Sequence, residues 1–172
     1  MNNVNLATVG ALMQRAKADP NAVRMQKRVE GRWSSVDGTP QFSATVVHGD
    51  RKSTLTADMA PPFGGGGLAP DPLQYMLFGL AACYTATVVM LASMEGVDLG
   101  EVKAVAENSV DASHVFGLGK KPLVERVVVR VTVGAPVDAE RLARWNQAAQ
   151  EKCPFAYTVA NAVPLETTVE RA

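Results

Sequence analysis

The chain has 172 residues, 47% hydrophobic and 20% charged, a balance that suits one globular domain with a filled core. Lys plus Arg and Asp plus Glu number 17 each, so no basic field exists to draw in nucleic acid or an anionic membrane surface. Two cysteines make no disulfide framework, and the N-terminal MNNVNLATVGALMQRAK lacks the basic start and long apolar core of a signal peptide; the expected compartment is the cytoplasm.

Residues 4–18 read as a short amphipathic helix with Leu6, Val9, Leu12 and Met13 on one face, stopped by Asp19 and Pro20. A run of strands follows. Alternation over residues 25–33 predicts the first, with a turn at Asp37 and Gly38; residues 42–48 and 53–59 predict a second and third around Gly49 and Asp50. Together they make an antiparallel meander.

From Tyr75 the chain reads YMLFGLAACYTATVVMLA, eighteen residues without a charge, at the threshold for a membrane span. Thr85, Thr87, Gly79 and several alanines weaken it, and no Lys or Arg cluster flanks it. The expectation is a helix enclosed by its own protein on nearly all sides. Asp71 is a good N-cap, Pro72 suits the first helical position and Gly96 ends the pattern, so the helix is predicted over residues 72–95. Cys83 falls near its middle.

Residues 102–110 and 123–133 are predicted strands, the second alternating clearly, with SHVFGLGKK as the loop between. A second helix is predicted over residues 138–152, with Leu142, Trp145 and Ala149 at helical spacing and Pro154 stopping it. Cys153 stands at its end. Residues 163–170 alternate as a last strand. The whole is one α+β domain.

A thiol is nucleophilic only as thiolate, and an apolar helix raises a thiol's pKa, so Cys83 needs a nearby cation or donor to react. Cys153, at the negative end of a helix, suits condensation with an oxidised partner better than first attack. Spacing alone favours two unrelated core cysteines. Other features have plain readings. GGGG at 64–67 lacks the Gly-Lys-Ser/Thr of a phosphate loop and reads as a flexible connection. His48 and His114 are isolated from other metal-ligating residue types, so no metal is expected. Glu125, Arg126 and Arg130 read as a wet strand face, and Met76, Phe78, Met90, Met94 and Trp145 as core.

Two stretches decide between the cysteine readings. GGGGLAPDPLQYMLFGLAACYTATV, with its glycine loop, Pro-x-Pro helix entry and Ala-Ala-Cys, resembles the OsmC/Ohr family of hydroperoxide-reducing proteins, and so does KCPFAYTVANAVPLETTVE. The order of elements is similar over about residues 25–170, leaving residues 1–20 as an extra N-terminal helix on a single domain spanning 1–172. The resemblance implies antiparallel curved sheets around a long buried central helix, in an intertwined homodimer with the reactive thiol in an interface pocket. It implies that Cys83 attacks an organic hydroperoxide and Cys153 resolves the sulfenic acid, with a dithiol such as protein-bound lipoyl as reductant and no cofactor. Leu73, Gln74 and Phe155 would line the pocket.

The chain also departs from the family. Elsewhere in it an Arg from the turn after the first strand bonds the thiolate, held by a Glu directly after the helix-entry proline. Here that turn, SSVDGTPQF, has no Arg, Thr39 stands near its place, and Leu73 follows Pro72. Arg32 and Arg51 are the candidate replacements, with Arg28 behind them. The alternative expectation is a non-peroxidatic OsmC-like dimer that binds an apolar small molecule or a thiol in the same pocket.

Overall fold

A computed structural model of the chain describes residues 1–171. They gather into two compact units, one formed by Leu6–Phe78 and the other by Met1–Asn5 with the chain from Gly79 onward.

In the first unit, helix α1 (Leu6–Ala18) forms as expected but buries no residue. Strands β1 (Gly31–Trp33), β2 (Phe42–His48) and β3 (Arg51–Ala57) make an antiparallel sheet in the order β1-β2-β3. The meander is confirmed, but the first strand is far shorter than predicted. Residues 25–30 alternate in sequence yet join no ladder, and Met25 and Val29 lie 72% and 64% exposed; alternation records a preference for burying one face and cannot by itself supply a pairing partner. Gly31 admits the close approach of β2, since a Cβ there would lie 2.3 Å from the Phe42 ring. The tetraglycine stretch is not a slack connection. The Asp58 carboxylate organises it, accepting from the backbone N–H groups of Gly66 and Leu68 at 3.0 and 2.9 Å.

Helix α2 (Pro72–Met94) starts in this unit and runs on into the second. Its entry is a reciprocal cap: Asp71 Oδ1 accepts from the Leu73 and Gln74 N–H groups while Gln74 Oε1 accepts from the Asp71 N–H. The helix ends within one residue of expectation, because Gly96 takes a left-handed φ of 72°. It is the one helix among the described residues long and apolar enough to cross a membrane.

In the second unit, β4 (Val102–Val110) and β5 (Val124–Val133) pair antiparallel, joined through a short helix α3 (Ala112–Val115) inside the predicted loop. Helices α4 (Ala139–Lys152) and α5 (Pro154–Ala160) follow. The core forms where α2, α4 and the sheet meet, around Tyr84, Val88, Ala92, Leu99, Trp145, Ala149 and Cys153. Trp145 is 2% exposed and donates its indole N–H to Glu95 at 2.9 Å. Asn2 ties the chain start to the end of α2, donating to Ser93 Oγ and the Val97 carbonyl and accepting from the Leu99 N–H.

Two further expectations need correction. The central helix is not enclosed on nearly all sides: only Leu80, Tyr84, Thr87, Val88, Ala92 and Ser93 are buried, while Phe78 and Met94 are 73% and 47% exposed rather than core. Residues 163–170 form no strand; they pair with nothing among the described residues, and Leu165 stands 85% exposed.

Candidate functional site

Cys83 sits mid-way along α2 because an apolar, uncharged run of residues carries it there. Cys153 occupies a joint. It is the C-cap of α4, its N–H donating to the Ala149 carbonyl at 2.9 Å, and the N-cap of α5, its sulfur accepting from the Ala156 N–H at 3.4 Å. The two thiols are free and face each other, with the Cys153 S–H directed at Cys83 Sγ across 3.3 Å. Cys153 is fully buried, while Cys83 is half-buried.

The electrostatics of the pair follow from this placement. Burial pushes the Cys83 thiol above its ordinary value; the backbone N–H of Phe155 pulls it down, and the neighbouring Cys153 pushes it up again. No Lys or Arg is among these causes. Cys153, expected at the end of one helix, also begins the next. Pro154, read as a stop for α4, is also the first residue of α5, and the N–H groups of that helix's first turn meet both sulfurs, Phe155 at Cys83 and Ala156 at Cys153.

Several residues that sequence reasoning passed over hold this geometry. Tyr84, adjacent to Cys83, donates its hydroxyl to the Asn146 carbonyl and side-chain Oδ1 at 3.1 and 2.8 Å, pinning α2 to α4. Burial and the nearby Cys153 both raise the Tyr84 pKa, keeping it a neutral donor. Gly79 lets the Phe155 ring lie on α2, since a Cβ there would come 2.6 Å from a ring carbon. Their signals were present as a Tyr beside the cysteine and a glycine one helical turn before it.

Of the predicted site residues, the structure brings Cys83, Cys153 and Phe155 together in one unit. The other four belong to the Leu6–Phe78 unit. Leu73 is exposed in the first turn of α2, and the Gln74 side chain is engaged in the helix cap. Arg32 is exposed on β1 opposite Ser43, and Arg51 begins β3 opposite His48, also exposed. Thr39 lies in the β1–β2 connection, donating to the Val36 carbonyl at 2.7 Å. His48 bonds Ser53, and His114 bonds the Lys121 carbonyl. Among the described residues no group of three or more His, Cys, Asp or Glu side chains converges to hold a metal ion.

Fold and site define an α+β protein built around a facing thiol pair, one thiol on a central helix and the other at a helix joint. Residues 64–168 match the family described as OsmC-like protein, and the chain belongs to that family. No curated protein matches the chain. Among solved structures it is similar to a Psychrobacter arcticus protein described as an osmotic stress induced and detoxification response protein, at 18% identity and a TM-score of 0.60, covering 78% of this chain and 89% of that one. It is also similar to the organic hydroperoxide resistance protein OsmC of Legionella pneumophila (19%, TM-score 0.56, 79% and 91% covered) and to an OsmC like protein of Mycoplasma pneumoniae (19%, 0.55, 79% and 89%).

Proposed function

We propose that the protein reduces organic hydroperoxides through Cys83 and Cys153. The observation that carries this reading is the 3.3 Å approach of two free sulfurs, one reachable and one enclosed. The Cys83 thiolate attacks the outer oxygen of R–O–O–H; the O–O bond breaks, R–O⁻ takes a proton and leaves as alcohol, and Cys83 becomes a sulfenic acid. The Cys153 sulfur then attacks that sulfur, water leaves, and a disulfide joins the two residues. A dithiol, of which a lipoyl group is the type implied by the family resemblance, restores both thiols and is itself oxidised to a disulfide. The unequal burial supports Cys83 as attacker and Cys153 as resolver.

The match to the OsmC-like family and the hydroperoxide resistance named for the Legionella relative support the same reaction. In this reading the protein works as a cytoplasmic homodimer, with Leu73, Gln74 and Phe155 lining the substrate pocket and Arg32 or Arg51 serving the thiolate. Both arginines are exposed, so Arg32→Ala and Arg51→Ala leave the fold intact and report on that role through rate alone.

The test is stoichiometric. One equivalent of cumene hydroperoxide should remove two thiols rapidly, add no oxygen to the final mass, and do neither in Cys83→Ser. Oxidation at the rate of a free thiol would sink the proposal. That result would favour the second reading, an OsmC-like dimer that binds an apolar molecule or thiol without turning over peroxide. Two observations speak for that reading: the upward push of burial on Cys83, and a first turn of α2 that holds no acidic residue.

A further inference from the structure

Asp58 follows β3 directly and is 2% exposed. Its Oδ2 is satisfied by the Gly66 and Leu68 N–H groups, but its Oδ1 is buried and has no hydrogen-bond partner. None of the ion pairs among the described residues includes it. A buried carboxylate oxygen without a donor is a costly arrangement, and an asparagine would serve the two backbone donors without carrying charge.

Asp58 is also among the residues lining a cavity of about 430 Å³ between the β1–β2 connection and the glycine loop. The walls of that cavity include a second carboxylate, Asp37, the hydroxyl residues Ser34, Ser35 and Thr39, and Gln41, with no Lys or Arg. The loop is shaped to close on Asp58. Gly64 and Gly67 hold left-handed φ values of 89° and 65°, and a Cβ on Gly65 would lie 1.7 Å from the Met59 carbonyl oxygen.

We infer that this cavity is a binding site for a guanidinium group, which pairs with Asp58 Oδ1 and spreads its remaining N–H donors over the surrounding oxygens. A planar cation with five donors matches a cavity of acceptors with one unpaired carboxylate oxygen. Two carboxylates fall short of the ligand set a hard divalent cation takes. The guanidinium comes either from a free small molecule or from an arginine side chain of a second copy of this chain. The site stands apart from the thiol reaction.

Thermal unfolding of the full chain separates the cases, using agmatine as the probe and tetramethylammonium chloride at equal ionic strength as a cation without N–H donors. If the guanidinium is a free molecule, agmatine near 100 times its dissociation constant raises Tm by about 5–11 °C, tetramethylammonium does not, and Asp58→Asn abolishes the shift. If it belongs to a second copy, the wild-type Tm rises with protein concentration, and Asp58→Asn removes that dependence. An Asp58→Asn protein as stable as wild type or more so, with no agmatine response in either protein and the same concentration dependence of Tm in both, overturns the inference and leaves Asp58 as a loop clamp. Should Asp58→Asn not fold, calorimetric titration of wild type with agmatine and sedimentation across concentrations decide the matter: a saturable heat or self-association removed by Arg-directed dicarbonyl modification upholds the site, and neither overturns it.

Discussion

Closing the Cys83–Cys153 disulfide should stabilise the protein by an amount its geometry sets. The bond would link positions 70 residues apart, and a loop of that length removes about 4.4 kcal/mol of chain entropy from the unfolded state at 25 °C. Against this stands the native adjustment, because the sulfurs must approach from 3.3 Å to about 2.05 Å. The gap is small and Cys83 is only half-buried, so a net gain of about 2–4 kcal/mol is expected. With a urea m-value of about 2 kcal/mol/M, the unfolding midpoint should rise by about 1–2 M on oxidation. Protein oxidised with diamide and separated as monomeric chain on a non-reducing gel would be compared with dithiothreitol-reduced protein, following the fluorescence of buried Trp145. An unchanged or lowered midpoint, or a Cys153→Ser protein giving the same shift, would refute the reasoning.

Other outcomes follow from the same site. Since burial raises the Cys83 pKa, the neutral thiol is the favoured form at pH 7, and iodoacetamide alkylation of Cys83 should still be climbing at pH 9; a plateau below about pH 8.5 would contradict this. The raised folded-state value also means that the stability it contributes is complete below the ordinary thiol pKa and lost as pH rises through the folded one, so urea midpoints of reduced wild type should fall more steeply above pH 9 than those of Cys83→Ala. Gly79→Ala gains about 1 kcal/mol of helix propensity but drives a methyl into the Phe155 ring, an overpacking that costs about 1–3 kcal/mol; the variant should be less stable and slower to form the disulfide, and a stability gain would show that Phe155 does not pack there. Tyr84→Phe leaves the Asn146 acceptors without their donor and should cost about 1–2 kcal/mol in urea unfolding, with unchanged stability as the contrary result.

Much of the fold could be read from the chain because its signals are local. Asp71, Pro72 and Gly96 bracket α2, the Gly49 turn joins β2 to β3, and the alternation of β5 survives almost to the residue. What escaped was what depends on a partner rather than on spacing. Residues 25–30 and 163–170 alternate as well as β5 does, yet no neighbouring strand pairs with them. Phe78 and Met94 are as apolar as Val88 and lie exposed on the same helix. The thiol pair was legible as two motifs. The facing of its sulfurs was not, because it depends on α5, whose first proline is ambiguous between ending one helix and starting another.

Cys153 is held by two helices at once, its backbone N–H committed to α4 and its sulfur to α5. Such a residue is an anchorage rather than an arm. The roughly 1.3 Å of travel a disulfide needs therefore falls to Cys83, a single side chain turning about χ1 on an intact helix. No segment has to unfold for the two sulfurs to meet. In the proposed reaction an oxidised Cys83 would meet the second thiol within a bond rotation, which would favour condensation to a disulfide over further oxidation to the irreversible sulfinic stage.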